Sequence, residues 1–425
     1  MFSKCCFTQN RYPIGFDKKT LQNVGGGGTI PYAIKGVFMK KITLLLILVL
    51  SLSLFFSCKS DPYDPHVHKY EEVFYSLSEE NKVLKTTLCS CGAKKVEVVE
   101  NAIVATPETA LSVLDSTNSG IIYFSKGTYD VELGIRHSKN ASTAIRNRDN
   151  EKVDINTLNS SITGVYRYYR TVENLTLIAD ENAVFKKDFK VHVGHIHGDT
   201  TNNITAYDPV RDITITDTND SFYSYIDIDG IKFYNMKFSE GARLYFHYSS
   251  LDCHAKNVEI EKCSFTGLES SKEKTQAIKF NADITDESGR MFENLKISDC
   301  VIKTYNQGIY TQSLNNVTVS GCDISDVKHN AIAIQASQDK FPFTGSVLID
   351  KNKIKNGGDR AIRFGVGENA TIVVSNNTIE NTHDKNNEVL KAQPLKNCTH
   401  EFVNNTYIGK TMKEVSEPNW IVSFE

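Results

Sequence analysis

Apolar and polar residues alternate in short runs along most of this chain, and from Asn174 onward the runs repeat. The units read "GIKFYNMKF", "NVEIEKCSF", "NLKISDCVI", "NVTVSGCDI", "SVLIDKNKI", "TIVVSNNTI" and "THEFVNNTY". Each is a period-two strand, a polar turn and a second short strand, and period two puts one side of every strand in a core. Alignment places Met236, Cys263, Cys300, Cys322, Asn352, Asn377 and Asn405 in one column, with separations of 27, 37, 22, 30, 25 and 28 residues. After each second strand come a loop and a third strand: "RLYFH", "AIKFN", "GIYTQ", "AIAIQ", "AIRFG" and "VLKAQ". Their inward pairs are Leu244/Phe246, Ile278/Phe280, Ile309/Thr311, Ile332/Ile334 and Ile362/Phe364, which leaves the residues between and after them facing outward.

Repeats of this length cannot each bury a core and are stable only when stacked. The predicted fold is therefore all-β: a single-stranded right-handed parallel β-helix (a solenoid) over residues 99–425, with a short N-terminal capping helix. The helix is read from "TPETALSVLDS", with Thr106 as N-cap, Pro107 at the first helical position and Glu108 favourable to the dipole. The aligned column predicts an inward-facing stack at the bend between first and second strands. Asn there can bond the backbone of the bend, whereas Cys fills the same space as a small hydrophobe, so Cys263, Cys300 and Cys322 are expected reduced and buried. Helix, strand and "GTY" followed by these coils resemble the pectate-lyase-like superfamily. That resemblance implies the architecture and a substrate groove along the third strands; it assigns no chemistry.

The N-terminal segments read differently. Residues 1–38 precede a complete signal and are read as a mis-assigned upstream extension, with Met39 the expected first residue, and residues 39–57 are an export signal in which Lys40 and Lys41 precede a short apolar run. The run is too short for an ordinary membrane span and lacks a polar flank on its far side. "LFFSC" resembles a bacterial lipobox, although Phe55 and Phe56 replace the usual aliphatic and small residues. It marks Cys58 for lipidation and implies an exported lipoprotein, anchored through lipid to the bacterial cell envelope and exposed at the surface; simple cleavage or a retained anchor is the alternative. Residues 58–98 are a tether carrying a small His/Cys module, where His66, His68, Cys89 and Cys91 have the donor types for zinc. A local disulfide or free thiols is the alternative there.

A net charge of −3 names no partner, and without a long basic block nucleic acid is discounted; a monomer is expected. Function is sought on the third strands. One outward column holds Tyr245, Lys279, Tyr310, Ala333, Arg363 and Lys391; the next holds His247, Asn281, Gln312, Gln335 and Gly365, with Arg243 and Arg360 near strand starts. Rings, amides and cations suit an acidic or amide-bearing glycan. Hydrolysis needs converging carboxylates, which these columns lack, and the segments where a pectin methylesterase would carry aspartates contain none. Elimination needs a base and an enolate-stabilising cation, for which Arg363, Arg360 and Lys279 are the candidates. Calcium at the groove would draw on Asp283 and Asp286, beside Glu287. The cluster "HVGHIHGD" offers His192, His195, His197 and Asp199 for a metal or a base. The leading expectation is a surface lipoprotein that binds acidic polysaccharide and cleaves it as a lyase does; the alternative is a non-catalytic adhesin or structural spine.

Overall fold

The structure, a computed structural model, describes residues 68–425 except 155, 159–163, 198–205, 209, 216–219, 250–252, 284–291, 313, 337–340, 381–387, 394, 409–411, 416–420 and 425. The signal segment, Cys58, His66, Asp199, Asp286 and Glu287 lie outside the described residues, and His195, His197 and Asp283 are described in backbone only.

Successive strands of the coil pair with the next coil rather than with each other. Each pairs in parallel with its counterpart one coil later, so the chain winds into three ladders. The first-strand ladder runs from Ser119–Phe124 through Val165–Ala179, Ser221–Tyr234, Ala255–Glu261, Phe292–Ser298, Leu314–Ser320, Phe343–Asp350 and Gly367–Ser375 to Thr399–Val403. The second-strand ladder is a sheet of nine short strands, from Gly127–Tyr129 to Thr406–Tyr407. The third runs from Leu133–Ile135 through Phe189–His197, Leu244–Ser249, Gln276–Asp283, Gln307–Gln312, Asn330–Gln335 and Arg360–Phe364 to Glu388–Ala392.

The bend between first and second strands follows from two adjacent columns. Asn235, Lys262, Asp299, Gly321, Lys351, Asn376 and Asn404 all have φ between 54° and 65°. This left-handed step turns the chain sharply, and Asn, Asp and Gly accept it most readily. The residue after each is the predicted column. Met236, Cys263 and Cys300 are fully buried, with Cys322 nearly so, and Cys263, Cys300 and Cys322 are free thiols. Burial pushes the Cys300 thiol well above its ordinary range, and at Cys322 the hydrogen bond with Cys300 and burial do the same. Below them the asparagines form a ladder. Asn377 Nδ2 donates to Ile349 O at 2.9 Å and to Asn405 Oδ1 at 2.9 Å, while Asn377 Oδ1 accepts from Asn352 N at 2.9 Å.

A second left-handed column lies within or just before the first strands: Asn174, Gly230, Asn257, Asn294, Asn316, Gly345, Asn369 and Asn397. Its exposed amides also chain together, Asn294 to Asn257 and Asn316 to Asn294 at 3.0 Å each. Inside the coil, aromatic rings stack along the axis, as Phe246 on Phe280 at 4.4 Å and Phe238 on Phe265 at 4.7 Å.

Both ends are covered. Helix α1 (Ala110–Leu114) buries Ala110 and Leu114 in the core. It starts later than its sequence suggests: Thr106 lies in the turn before it, its hydroxyl bonded to Glu108 at 2.7 Å rather than to a helical N–H. At the other end Ile421–Phe424 runs antiparallel to Glu388–Ala392 and covers that ladder's edge. Ahead of the coil, β1 (Tyr70–Leu77), β2 (Val83–Cys89) and β3 (Lys94–Val98) form an antiparallel sheet. Val83 packs with Tyr123, Ile178 and Tyr234 of the first-strand ladder, and Tyr234 OH donates to Val73 O at 2.8 Å.

Candidate functional site

The third-strand ladder sets the register of the outward side chains. Lys190, Tyr245, Lys279, Tyr310, Ala333, Arg363 and Lys391 are consecutive partners. In the neighbouring column His192 pairs with His247, His247 with Asn281, and Gln312 with Gln335. Gln312 Oε1 reaches back one coil to accept from Ala282 N at 3.2 Å. Gly365 is forced to be small: a Cβ there would sit 3.0 Å from Gln335 Cα. Ala333 points away from the core cluster yet is fully buried, so its methyl is covered by its neighbours instead of facing water as the alternation implied.

A further column begins the strands. Gln276, Gln307, Asn330 and Arg360 are successive partners, placing Arg360 at the end of a row of amides. Gln307 Oε1, Asn330 Oδ1 and Gln335 Nε2 are buried with no hydrogen-bond partner among the described residues. An amide atom left so is destabilising by about 1–3 kcal/mol, and the penalty is relieved when a hydroxyl or water supplies the bond.

Charge is distributed unevenly along the face. At the N-terminal end Lys190 pairs with Glu132 at 2.6 Å and Arg243 with Asp188 at 2.7 Å. Tyr245, expected as an open stacking surface, is packed by cations: Arg243 Cζ lies 4.8 Å and Lys279 Nζ 5.1 Å from its ring centre, with the His247 ring at 5.7 Å. Each cation–π contact of this kind stabilises by about 0.5–1 kcal/mol. Further along, Arg363 is half-buried and has no ion-pair partner among the described residues.

Beside Arg360 stands a pair that sequence reasoning missed. His329 Nδ1 and Asp359 Oδ2 are 2.6 Å apart, bridging adjacent coils, and Arg360 N donates to His329 O at 2.9 Å. The signal was present in "HNAIAI" over "DRAIRF", because both residues immediately precede aligned positions. A carboxylate bonded to one imidazole nitrogen fixes the tautomer and leaves the other nitrogen for a proton.

Of the His192 cluster, His192 meets His247 edge-on at 6.3 Å, and the side chains of His195 and His197 lie outside the described residues. Calcium at Asp283 and Asp286 falls there too. Among the described residues, the set of three donors gathered closely enough for a metal is His68, Cys89 and Cys91. A hollow of ≈ 770 Å³ lies between the N-terminal sheet and the first turn, lined by Ser76, Thr106, Pro107, Lys126 and Asp180, away from the third strands.

Residues 213–406 match the family description "right handed beta helix region". The chain is a right-handed parallel β-helix protein. Among solved structures, this β-helix is similar to PfbA, a surface adhesin of Streptococcus pneumoniae, at 11% identity and a TM-score of 0.26 over 75% of this chain and 95% of that one. It is similar also to a family 28 exopolygalacturonase of Yersinia enterocolitica, at 9% identity and a TM-score of 0.21 over 84% and 88%. A third is the lacto-N-biosidase of family GH136 from Eubacterium ramulus, at 9% identity and a TM-score of 0.25 over 72% and 67%. No curated protein sequence matches the β-helix significantly. Likeness at this level carries no activity across. Among the described residues no helix is long and apolar enough to cross a membrane.

Proposed function

We propose that this β-helix binds an acidic polysaccharide along its third-strand face, at the bacterial cell envelope, to which Cys58 anchors it. The observation that carries the reading is the register of Lys279, Arg363 and Lys391 in one column, with Arg363 lacking an ion-pair partner among the described residues. Rungs of a parallel ladder are spaced about 4.8 Å apart, close to the length of one pyranose along a chain. Arg363 and Lys391, on adjacent rungs, can therefore meet carboxylates on neighbouring sugars, with Lys279 three rungs from Arg363 meeting one further along the chain, and guanidinium binds carboxylate through two parallel hydrogen bonds.

The pair His329–Asp359 favours a second reading, in which the bound chain is cleaved by β-elimination. The imidazole takes the proton beside the uronate carboxylate, Arg360 and Arg363 stabilise the enolate, and the glycosidic oxygen leaves as the double bond forms. Imidazole suits that step better than the guanidinium of Arg363 or Arg360, which stays protonated below about pH 12. Among the described residues the outward columns of the third strands hold no pair of carboxylates for hydrolysis, and Asp359 is bonded to His329.

One experiment addresses both readings: titration with a panel of polyuronates and neutral glycans, followed by absorbance of unsaturated uronate. Binding is expected with one or more polyuronates and should weaken at least about tenfold, roughly 1.4 kcal/mol, in Lys279→Ala/Arg363→Ala. His329→Gln should retain binding and lose the absorbance signal. Unchanged affinity in the double variant would sink the binding face. Binding without absorbance from the unmodified protein removes elimination and leaves an adhesin.

A further inference from the structure

We infer that the N-terminal sheet carries a zinc site made by His68, Cys89 and Cys91, separate from the glycan face. The hairpin between β2 and β3 makes it. Cys89 ends β2, Gly92 N donates to Cys89 O at 2.8 Å, Cys89 N donates to Ala93 O at 2.9 Å, and Gly92 has φ +88°. This is the three-residue hairpin loop whose last position is left-handed, and glycine takes that position without a Cβ clash. The loop carries Cys89 and Cys91 on either side of a single residue, both at the tip.

The register of β1 supplies the third donor. Tyr70, the first residue of β1, pairs with Cys89, so His68 just before β1 and Cys91 in the turn just after β2 emerge at the same end of the sheet. His68 Nδ1 lies 3.2 Å from Cys91 Sγ, and the donor atoms of all three residues lie within 4.8 Å of one another. Around tetrahedral zinc, with bonds of about 2.3 Å to sulfur and 2.0–2.1 Å to nitrogen, donor atoms stand roughly 3.6–3.8 Å apart. Closing this triangle onto an ion shortens its widest separation by about an ångström or less. Cys89 is buried while His68 and Cys91 are exposed, so the ion would sit at the rim of the sheet with a solvent-facing fourth position.

The donor chemistry narrows the ion. Two thiolates and one imidazole are soft and borderline donors that suit zinc; calcium and magnesium require oxygen. Cys263, Cys300 and Cys322 are unsuited to the same role: they are buried in the core, and at Cys300 and Cys322 the environment holds the proton on sulfur. A metal here would tie the start of the described chain to a hairpin tip and rigidify a sheet too small to have much core of its own.

The test uses the full chain, loaded with zinc sulfate, desalted and analysed for metal. About one zinc per chain is expected, falling at least roughly tenfold in Cys89→Ser/Cys91→Ser and in His68→Ala. Cobalt(II) in place of zinc should give thiolate-to-metal charge-transfer bands and tetrahedral visible bands, both lost in the double variant. Circular dichroism of each variant establishes that the β-helix is folded, and polyuronate titration should be unaffected. Zinc retained by the folded double variant, copper instead of zinc, or a Cys89–Cys91 disulfide in the protein as purified would each overturn the assignment.

Discussion

Burial holds the His137 imidazole down to about 3, with the nearby Arg170 guanidinium and His192 adding to the effect. Arg170 is itself 1% exposed, its guanidinium donating to Leu114 O and Thr117 O at 2.8 Å each, and burial lowers it to about 10. His137 is therefore neutral in the folded protein and titrates near its ordinary value of about 6.5 once unfolded. The unfolded chain takes up the proton first, so the neutral imidazole contributes stability that is present above pH ~6.5 and is lost as pH falls towards ~3, at up to about 1.4 kcal/mol per pH unit. His137→Gln should remove that dependence. Urea unfolding at pH 7.5 and pH 4.5 checks it: the unmodified protein should lose roughly 2 kcal/mol more between the two than the variant. Equal losses would mean that the imidazole is hydrated or already charged in the fold. Nothing in "RHSKN" foretold this environment, because it is assembled by Arg170 and by the turn that follows α1.

The bend column tests whether the ladder is held by hydrogen bonds or by volume. Cys300 and Asn377 occupy equivalent places, but their partners differ. Truncating Asn377 to Ala leaves Ile349 O and Asn352 N without their bonds to it inside the core. Truncating Cys300 to Ala removes a sulfur from an apolar stack and leaves only a small cavity. Asn377→Ala should therefore destabilise by about 3 kcal/mol and Cys300→Ala by about 1 kcal/mol, read as shifts of the urea midpoint. Equal losses would show the amide to be a spacer. This column was legible in the sequence because one side chain recurs at one point of a repeating path. The left-handed residue before it was less so: Lys262 and Lys351 take φ values of 54° and 57° that their side chains do not favour. Stacking imposes the geometry there, and local preference yields to it. The site was legible in proportion to its dependence on register. Lys279, Tyr310 and Arg363 fell into line from alternation alone. The bond between His329 and Asp359 spans 30 residues and depends on rotamers, and the packing of Tyr245 by Arg243 and Lys279 depends on side-chain reach.

Taken whole, the molecule has a charge distribution that opposes its proposed ligand at long range. The chain's net charge is −3, and its first 57 residues contain seven Lys and Arg against one Asp, so the remainder bears −9. An acidic polysaccharide approaching that body meets repulsion first and the Lys279–Arg363–Lys391 column only at contact. The Debye length is about 30 Å at 0.01 M salt and about 8 Å at 0.15 M, so added salt screens the repulsion of approach well before it screens a pair in contact. Association should thus become faster as salt rises from ~10 to ~150 mM, the reverse of steering by an attractive field, while dissociation also quickens as the contact pairs weaken. Arg363→Ala should raise the dissociation rate and leave the association rate and its salt dependence nearly unchanged, since one charge alters the distant field little. Surface-captured protein and a soluble polyuronate give both rates directly. Association that slows with salt would mean that the third-strand face projects a positive field beyond its own side chains, with the acids of the molecule lying too far from the approach path to oppose it.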